Sequence, residues 1–195
     1  MLRFGNGPST VIESAGHDIV VSGAGAAGLT ATRILAERGV DVVCLEARGR
    51  TGGRLLSVPA EGGALDLGAT WFWPGEQRVK RLVGEHGLAV FSQYLDGAGR
   101  YDGPDGVVRL NGNPIGVPAG RYGTGAASLT DALTAGLPAG TVRLNEAVAG
   151  IDQDGEELVV STTGTRVPAA RLAPGAPGAR GALHGSQPHR RGAQP

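Results

Sequence analysis

Three blocks of hydrophobic pattern near the start of the chain define its organisation. Ile19, Val20 and Val21 form a short apolar run of the length and residue type of a buried parallel strand. The run leads directly into Gly23-Ala24-Gly25-Ala26-Ala27-Gly28, after which the period changes. Across residues 26–38, Leu29, Ile34 and Leu35 stand among alanines while Arg33, Glu37 and Arg38 lie on the other side, and Gly39 follows as a helix stop. Residues 40–45, apolar apart from Asp41, predict a second strand, closed by Glu46.

Beyond this block the pattern is shorter in range. Residues 55–58 predict a short strand, and residues 64–71 a turn-rich segment. Residues 76–86 predict a helix with Val79, Leu82 and Val83 on one face and Lys80, Arg81 and Glu85 outside, ended by Gly87. His86 falls in its last turn. Val90, Phe91 and Tyr94 mark a strand, Asp102-Gly103 and Asp105-Gly106 mark turns, and residues 107–110 another strand. Ser128-Leu129-Thr130-Asp131 has the form of a capping box opening a short helix with Leu129, Ala132 and Leu133. Strands follow over residues 142–144, 147–151 and 157–161, the last two joined as a hairpin at Asp154-Gly155.

A strand, a glycine turn, a helix and a second strand in immediate succession predict an α/β fold. It is a Rossmann-like dinucleotide-binding domain with a parallel sheet and βαβ connections. The three glycines act differently. Gly23 permits the tight turn, Gly25 lets backbone N–H groups approach a pyrophosphate, and Gly28 allows the helix to pack closely on the strand. The helix N-terminus then offers unpaired amides and the positive end of its dipole to phosphate. Glu46 stands 23 residues after Gly23 (46 minus 23), where this fold places the acid that accepts hydrogen bonds from ribose hydroxyls. A glycine-rich turn on its own also serves plain packing; the strand before, the helix after and the spaced acid favour the dinucleotide.

Composition changes this picture in three ways. The formal charge of zero argues against a nucleic-acid or other polyanionic partner. The single cysteine, Cys44, sits in the second predicted strand, so no intramolecular disulfide forms; a small buried core residue in a reducing, cytoplasmic protein is the reading, and no reactive thiol. No run approaches 18 apolar residues and residues 1–16 lack a signal-like segment, so neither a membrane span nor secretion is expected, and residues 1–16 read as a flexible leader. The four histidines are scattered, no Cys/His spacing fits zinc, and no nucleophile elbow occurs, so no metal site and no catalytic residue is assigned.

After Glu46 the chain reads Ala47-Arg48-Gly49-Arg50-Thr51-Gly52-Gly53-Arg54, a second glycine pair for which a nicotinamide-binding unit has no need. The stretches LEARGRTGGR (residues 45–54) and GALDLGATWFWPG (residues 63–75) resemble the N-terminal motifs of the flavin-containing, monoamine oxidase-like amine oxidases. The resemblance spans about residues 17–167 and is densest over 18–95. It implies FAD as cofactor, with Gly23, Ala24, Gly25, Ala26, Ala27 and Gly28 at the pyrophosphate and Glu46, Ala47 and Arg48 near the ribose. Gly53 and Arg54 belong to the loop returning over the cofactor, and Gly68, Ala69, Thr70 and Trp71 lie near the flavin ring. In RLNEAVAGIDQDG (residues 143–155), Val148 matches a position whose backbone contacts the adenine end. A plain core role for Val148, and an aromatic core cluster for Trp71, Phe72 and Trp73, stay open beside these assignments.

The resemblance further implies an oxidoreductase that oxidises a small-molecule amine by hydride transfer to the flavin, with reoxidation by oxygen. The family's catalytic lysine, aromatic cage and C-terminal flavin segment would follow the point where the resemblance stops. The expected division is a leader (1–16), a first part of the FAD-binding domain (17–87), part of a substrate domain (88–138), a return to the FAD-binding domain (139–167) and a tail (168–195). The tail has no Val, Ile, aromatic or acidic residue, but five prolines and five glycines, and is expected to be disordered, as out-of-frame translation would be. Two other readings remain: a non-catalytic nucleotide-binding remnant, and a nicotinamide-dependent dehydrogenase.

Overall fold

The structure, a computed structural model, describes residues 12–13, 16–112, 118–154, 157–163 and 165–174. Along the chain the elements are β1 (Ile12–Glu13), β2 (His17–Ser22), α1 (Ala26–Glu37), β3 (Val42–Leu45), β4 (Ser57–Ala60), β5 (Gly63–Asp66) and β6 (Trp71–Phe72). Then come α2 (Gln77–Glu85), β7 (Val90–Ser92), β8 (Gly99–Gly103), β9 (Gly106–Leu110), β10 (Gly120–Tyr122) and α3 (Ala127–Ala135). The last four are β11 (Val142–Arg143), β12 (Val148–Asp154), β13 (Glu157–Thr162) and β14 (Thr165–Pro174). These elements fall into two compact units, one of residues 1–53 and 133–195, the other of residues 54–132.

The first unit is built on a mixed sheet of order β11-β3-β2-β14-β13-β12, with β1 also paired to β14. Strands β11, β3, β2 and β14 run parallel, whereas β13 and β12 are antiparallel to their neighbours. The α/β fold and the β2–α1–β3 order follow the sequence pattern. Helix α1 packs on β2 and β3, and its Leu29 and Thr32 are fully buried. Gly39, with φ of 75°, ends the helical path as the sequence indicates. A second cluster joins Val20, Val43 and Leu45 to Leu158, Val160, Val167 and Ala169, with Val148 and Ile151 packed against it.

Two expectations need correction. The segment from residue 168 onward is not structureless throughout: β14 continues to Pro174, paired with β13 on one side and with β2 on the other. Its own composition does not favour a strand, but two neighbouring strands supply its hydrogen bonds. Pro168 precedes the first β2 pair (Ala169 with His17) and Pro174 makes the last, so the prolines bracket the β2 ladder, while in the ladder with β13 Pro168 pairs with Val159. Residues 175–195 lie outside the described residues. The leader, likewise, contributes Ile12–Glu13 to the sheet, beside Thr165 and Arg166.

The second unit begins after Gly53, within the stretch expected to form the first part of the FAD-binding domain. The cause is strand pairing: β6, ahead of α2, and β7, after it, both pair with β10. Phe72 is buried against Tyr122, with ring centroids 5.3 Å apart, and lies over Gly120, where a β-carbon would come within 2.5 Å of the ring. Trp71 and Trp73 form an exposed edge-to-face pair, so of the three aromatics Phe72 alone is core. Among helix ends, α3 differs from its predicted start. Ser128 lies inside the helix and its hydroxyl donates to the Gly125 carbonyl. The N-terminal amides are instead held from a distance. The Asp66 side chain, 3% exposed, accepts the Ala126 N–H (2.8 Å) and the Ser57 hydroxyl (2.5 Å), and Ser57 Oγ accepts the Ala127 N–H (2.9 Å). Gly68 packs with no room for a side chain, because a β-carbon there would fall on the Arg54 carbonyl oxygen, which also accepts the Ala69 N–H (3.0 Å).

Cys44 is fully buried in β3, and that burial pushes its thiol pKa up to about 11; the nearby Glu46 charge adds to the shift, and a Thr32 hydrogen bond opposes it. Because the folded value is raised, the protonated thiol contributes stability that is complete below the ordinary thiol pKa and is lost as pH rises through about 11.

Truncating Leu29 to alanine is expected to lower unfolding stability by about 2–5 kcal/mol, read as a fall in the urea midpoint. Gly68→Ala should destabilise the second unit, with earlier proteolysis between residues 54 and 132. Cys44 should resist a thiol reagent at pH 8 in the native protein and react fully once urea unfolds it.

Candidate functional site

The candidate site lies where β2 and β3 end side by side. Ser22 pairs with Leu45, and the chain then turns through Gly23, whose φ of 101° suits glycine and whose N–H donates to the Leu45 carbonyl (2.7 Å). Ala24, fully buried, points its N–H at Glu46 Oε2 (2.9 Å). Gly25 is extended (φ −79°, ψ 178°) and its carbonyl accepts the first helical bond, from the Leu29 N–H (2.9 Å). No side chain caps this helix, and its first turn contains no acidic residue. The amides of Ala26, Ala27 and Gly28 therefore meet no protein carboxylate, which is the arrangement that receives an anion. A β-carbon at Gly25 would meet nothing within 4 Å, so this glycine leaves a bare backbone surface. Gly28 is buried, and its carbonyl accepts the Thr32 hydroxyl (2.8 Å).

Glu46 is 5% exposed and holds the turn from the other side. Besides Ala24, it accepts the Arg48 N–H at Oε1 (3.0 Å). The Arg48 guanidinium is 3.8 Å from the same oxygen and is itself largely exposed. A carboxylate offers about four lone-pair sites, so two remain for donors such as ribose hydroxyls. Ala47 is exposed beside it.

The loop that follows returns over the glycine turn. Gly52 donates its N–H to the Ala24 carbonyl (2.8 Å) and forms an isolated parallel bridge with Gly25. A β-carbon at Gly53 would lie 3.3 Å from the Gly25 Cα, and both Gly52 and Gly53 have positive φ. The loop is fastened by Arg50, whose guanidinium donates to the carbonyls of Thr51 (2.9 Å) and Gly53 (3.0 Å). Sequence reasoning assigned Arg50 no role, although it lies inside the motif that carries the resemblance.

The remaining assigned residues are placed as follows. Val148 is half-buried and packs against the second core cluster, which gives it a structural role in β12. Arg54, Gly68, Ala69, Thr70 and Trp71 belong to the second unit, where Gly68 and Ala69 pack on the Arg54 carbonyl and Trp71 is 46% exposed. The first unit thus brings together Gly23 to Gly28, Glu46, Arg48 and Gly53. Asn145 and Glu146 join them there, though nothing in the periodicity of the sequence marked either one. Among the described residues no helix is long and apolar enough to cross a membrane, and no His, Cys, Asp and Glu are grouped as metal ligands.

Comparison with known proteins agrees with this geometry. Residues 21–85 match the NAD(P)-binding Rossmann-like domain family. Putrescine oxidase of Kocuria rosea is 43% identical over 100 residues, which is 51% of this chain and 20% of that protein. The flavin-containing amine oxidase A of Canis lupus familiaris is 43% identical over 83 residues, 42% of this chain and 16% of that protein. Among solved structures, putrescine oxidase bound to putrescine superposes with a TM-score of 0.69 at 18% identity, covering 83% of this chain and 57% of its own. Cyclohexylamine oxidase from Brevibacterium oxydans IH-35A gives 0.71 at 15% identity, over 81% and 57%. The chain matches 16–20% of the length of these curated relatives and rather more than half of the solved chains. The chain is similar to the N-terminal part of the flavin-containing amine oxidases.

Proposed function

We propose that this chain holds FAD and belongs to an oxidoreductase of the amine oxidase type. The observation that carries the reading is the Ala24–Glu46 hydrogen bond beside an uncapped helix N-terminus. It sets a bare glycine backbone, free amides and an acid with open lone pairs on one edge of a parallel sheet. A pyrophosphate suits the amides of Ala26 and Ala27 across Gly25, and the adenosine ribose suits Glu46, with Arg48 beside it. The returning loop at Gly53 and Arg54, the Gly68-Ala69-Thr70-Trp71 stretch and the Val148 backbone are the further proposed contacts. The Arg50-fastened Gly52–Gly53 pair favours FAD over a nicotinamide cofactor, because it adds a second strip of side-chain-free backbone next to Gly25.

Bound flavin would supply a two-electron acceptor for hydride from an amine-bearing carbon, and oxygen would take the electrons on. What the present residues contribute is binding and orientation: amides for phosphate, a buried carboxylate for ribose, and a loop that excludes side chains from the cofactor's path. The substrate is accordingly proposed to be a small amine, as the names of the relatives indicate for those proteins. A buried thiol as the sole cysteine fits a reducing, cytoplasmic setting.

The test is the visible spectrum of the full chain after incubation with FAD and desalting. Flavin bands near one per chain are expected, with loss of most of that flavin in Glu46→Ala. A colourless protein that binds NADH instead would turn the assignment to the dehydrogenase reading, and binding of neither nucleotide would overturn both.

A further inference from the structure

The end of β11 and the turn after it are not part of the dinucleotide motif, yet together they meet the loop that carries Glu46 at three backbone positions. Arg143 accepts the Glu46 N–H (2.9 Å), Asn145 donates its N–H to the Arg48 carbonyl (3.0 Å), and Glu146 donates its N–H to the Glu46 carbonyl (2.8 Å). Two successive amides reach two carbonyls on one loop because Asn145 is left-handed, with φ of 61°. It is the one non-glycine residue at positive φ among the described residues. That conformation is disfavoured for residues with a β-carbon and is most readily adopted by glycine and asparagine.

The turn is anchored on its far side and fitted on its near side. The Glu146 carboxylate accepts the Thr162 hydroxyl of β13 (2.6 Å), and Thr162 also accepts the Thr165 N–H (3.0 Å). The Asn145 side chain lies against Gly49, where an added β-carbon would stand 3.2 Å from its Oδ1. Residues 46–49 are therefore held by a fixed turn. Arg48 is the critical link: its carbonyl is fixed by Asn145 and its N–H donates to Glu46 Oε1.

We propose that Asn145 is a positioning residue for the ribose-binding carboxylate. Its left-handed backbone fixes Arg48, Arg48 fixes Oε1 of Glu46, and Ala24 fixes Oε2, so the open lone pairs are aimed before any nucleotide arrives. The inference rests on the dinucleotide reading above. Loss of the Asn145 conformation frees one of the two carboxylate oxygens and costs discrimination for the ribose hydroxyl, not contact with phosphate.

The probes are ADP and 2′-deoxy-ADP, titrated against the full chain. Wild-type protein should prefer ADP by on the order of ten-fold, the worth of a charge-assisted hydrogen bond. Asn145→Ala should bring that preference toward unity while leaving 2′-deoxy-ADP affinity nearly unchanged, and Asn145→Gly, which accepts positive φ, should retain it. An alanine variant that keeps the full preference, or one that weakens both nucleotides equally, would overturn the proposal. Should the alanine variant not fold, hydrogen exchange on the wild type decides. Because coupling between sites is reciprocal, the Asn145 and Glu146 amides should gain protection with ADP and less with 2′-deoxy-ADP, and equal protection by the two sinks the idea. Wild-type chain that binds neither FAD nor ADP overturns the dinucleotide reading itself and this inference with it.

Discussion

A buried carboxylate paired with a turn amide is the interaction on which the first unit depends. Glu46 is almost wholly removed from water, and a carboxylate so placed is costly unless hydrogen bonds replace its hydration. The donors are backbone amides, Ala24 from the glycine turn and Arg48 from the loop beyond β3. One side chain thereby ties the exit of β2, the start of α1 and the exit of β3 into a single edge. The chemistry that suits Glu46 to the proposed ribose contact also makes it a folding element, and removing its charge would disturb the turn itself.

Sequence made legible what is local. The β2–turn–α1–β3 order follows from a short apolar run, glycines and a helical period, all within a few turns of one another. What escaped has partners far along the chain. Nothing near Ala126 and Ala127 announces that their amides bind Asp66 and Ser57, 60 and 70 residues earlier, so the capping box at Ser128 was a reasonable but wrong local solution. Strand β14 escaped for a related reason. Its alanines and prolines carry little strand propensity, and its existence is decided by β2 and β13 on either side. Asn145 is the same case in miniature: its polar side chain looks like that of any surface residue until its backbone conformation and its bond to Arg48 are known.

The two units differ in how they are held. In the first, Val20, Val21, Val43 and Leu45 are nearly or wholly removed from water, and Val160 and Val167 are fully buried beside them. In the second, Leu65, Leu67, Phe91 and Tyr94 are exposed, while a polar network around Asp66 joins β4, β5 and the start of α3. Arg121 extends that network, with Nη2 3.7 Å from Asp66 Oδ2 and its guanidinium carbon 5.8 Å from the Phe91 ring centroid. Hydrogen-bond networks specify geometry more than they add free energy, whereas buried apolar area supplies most of the stability.

The two glycine motifs, some two dozen residues apart, are best understood as one device. Read separately, Gly25 is explained by a pyrophosphate and Gly53 by a turn. In the folded chain each is also the reason for the other. Gly52 bridges to Gly25 and bonds the Ala24 carbonyl, and Gly53 approaches the Gly25 Cα so closely that a β-carbon at residue 53 would touch it. Arg50 holds that approach by bonding Gly53 from within the same loop. A nucleotide-binding turn that needs only to admit phosphate requires no such partner. The paired loops set two strips of side-chain-poor, part-buried backbone next to each other, one ending at a helix N-terminus and the other leading away from Glu46. On the proposed reading that surface suits a long, two-part cofactor, and the second glycine pair says more about such a ligand than the first motif does alone.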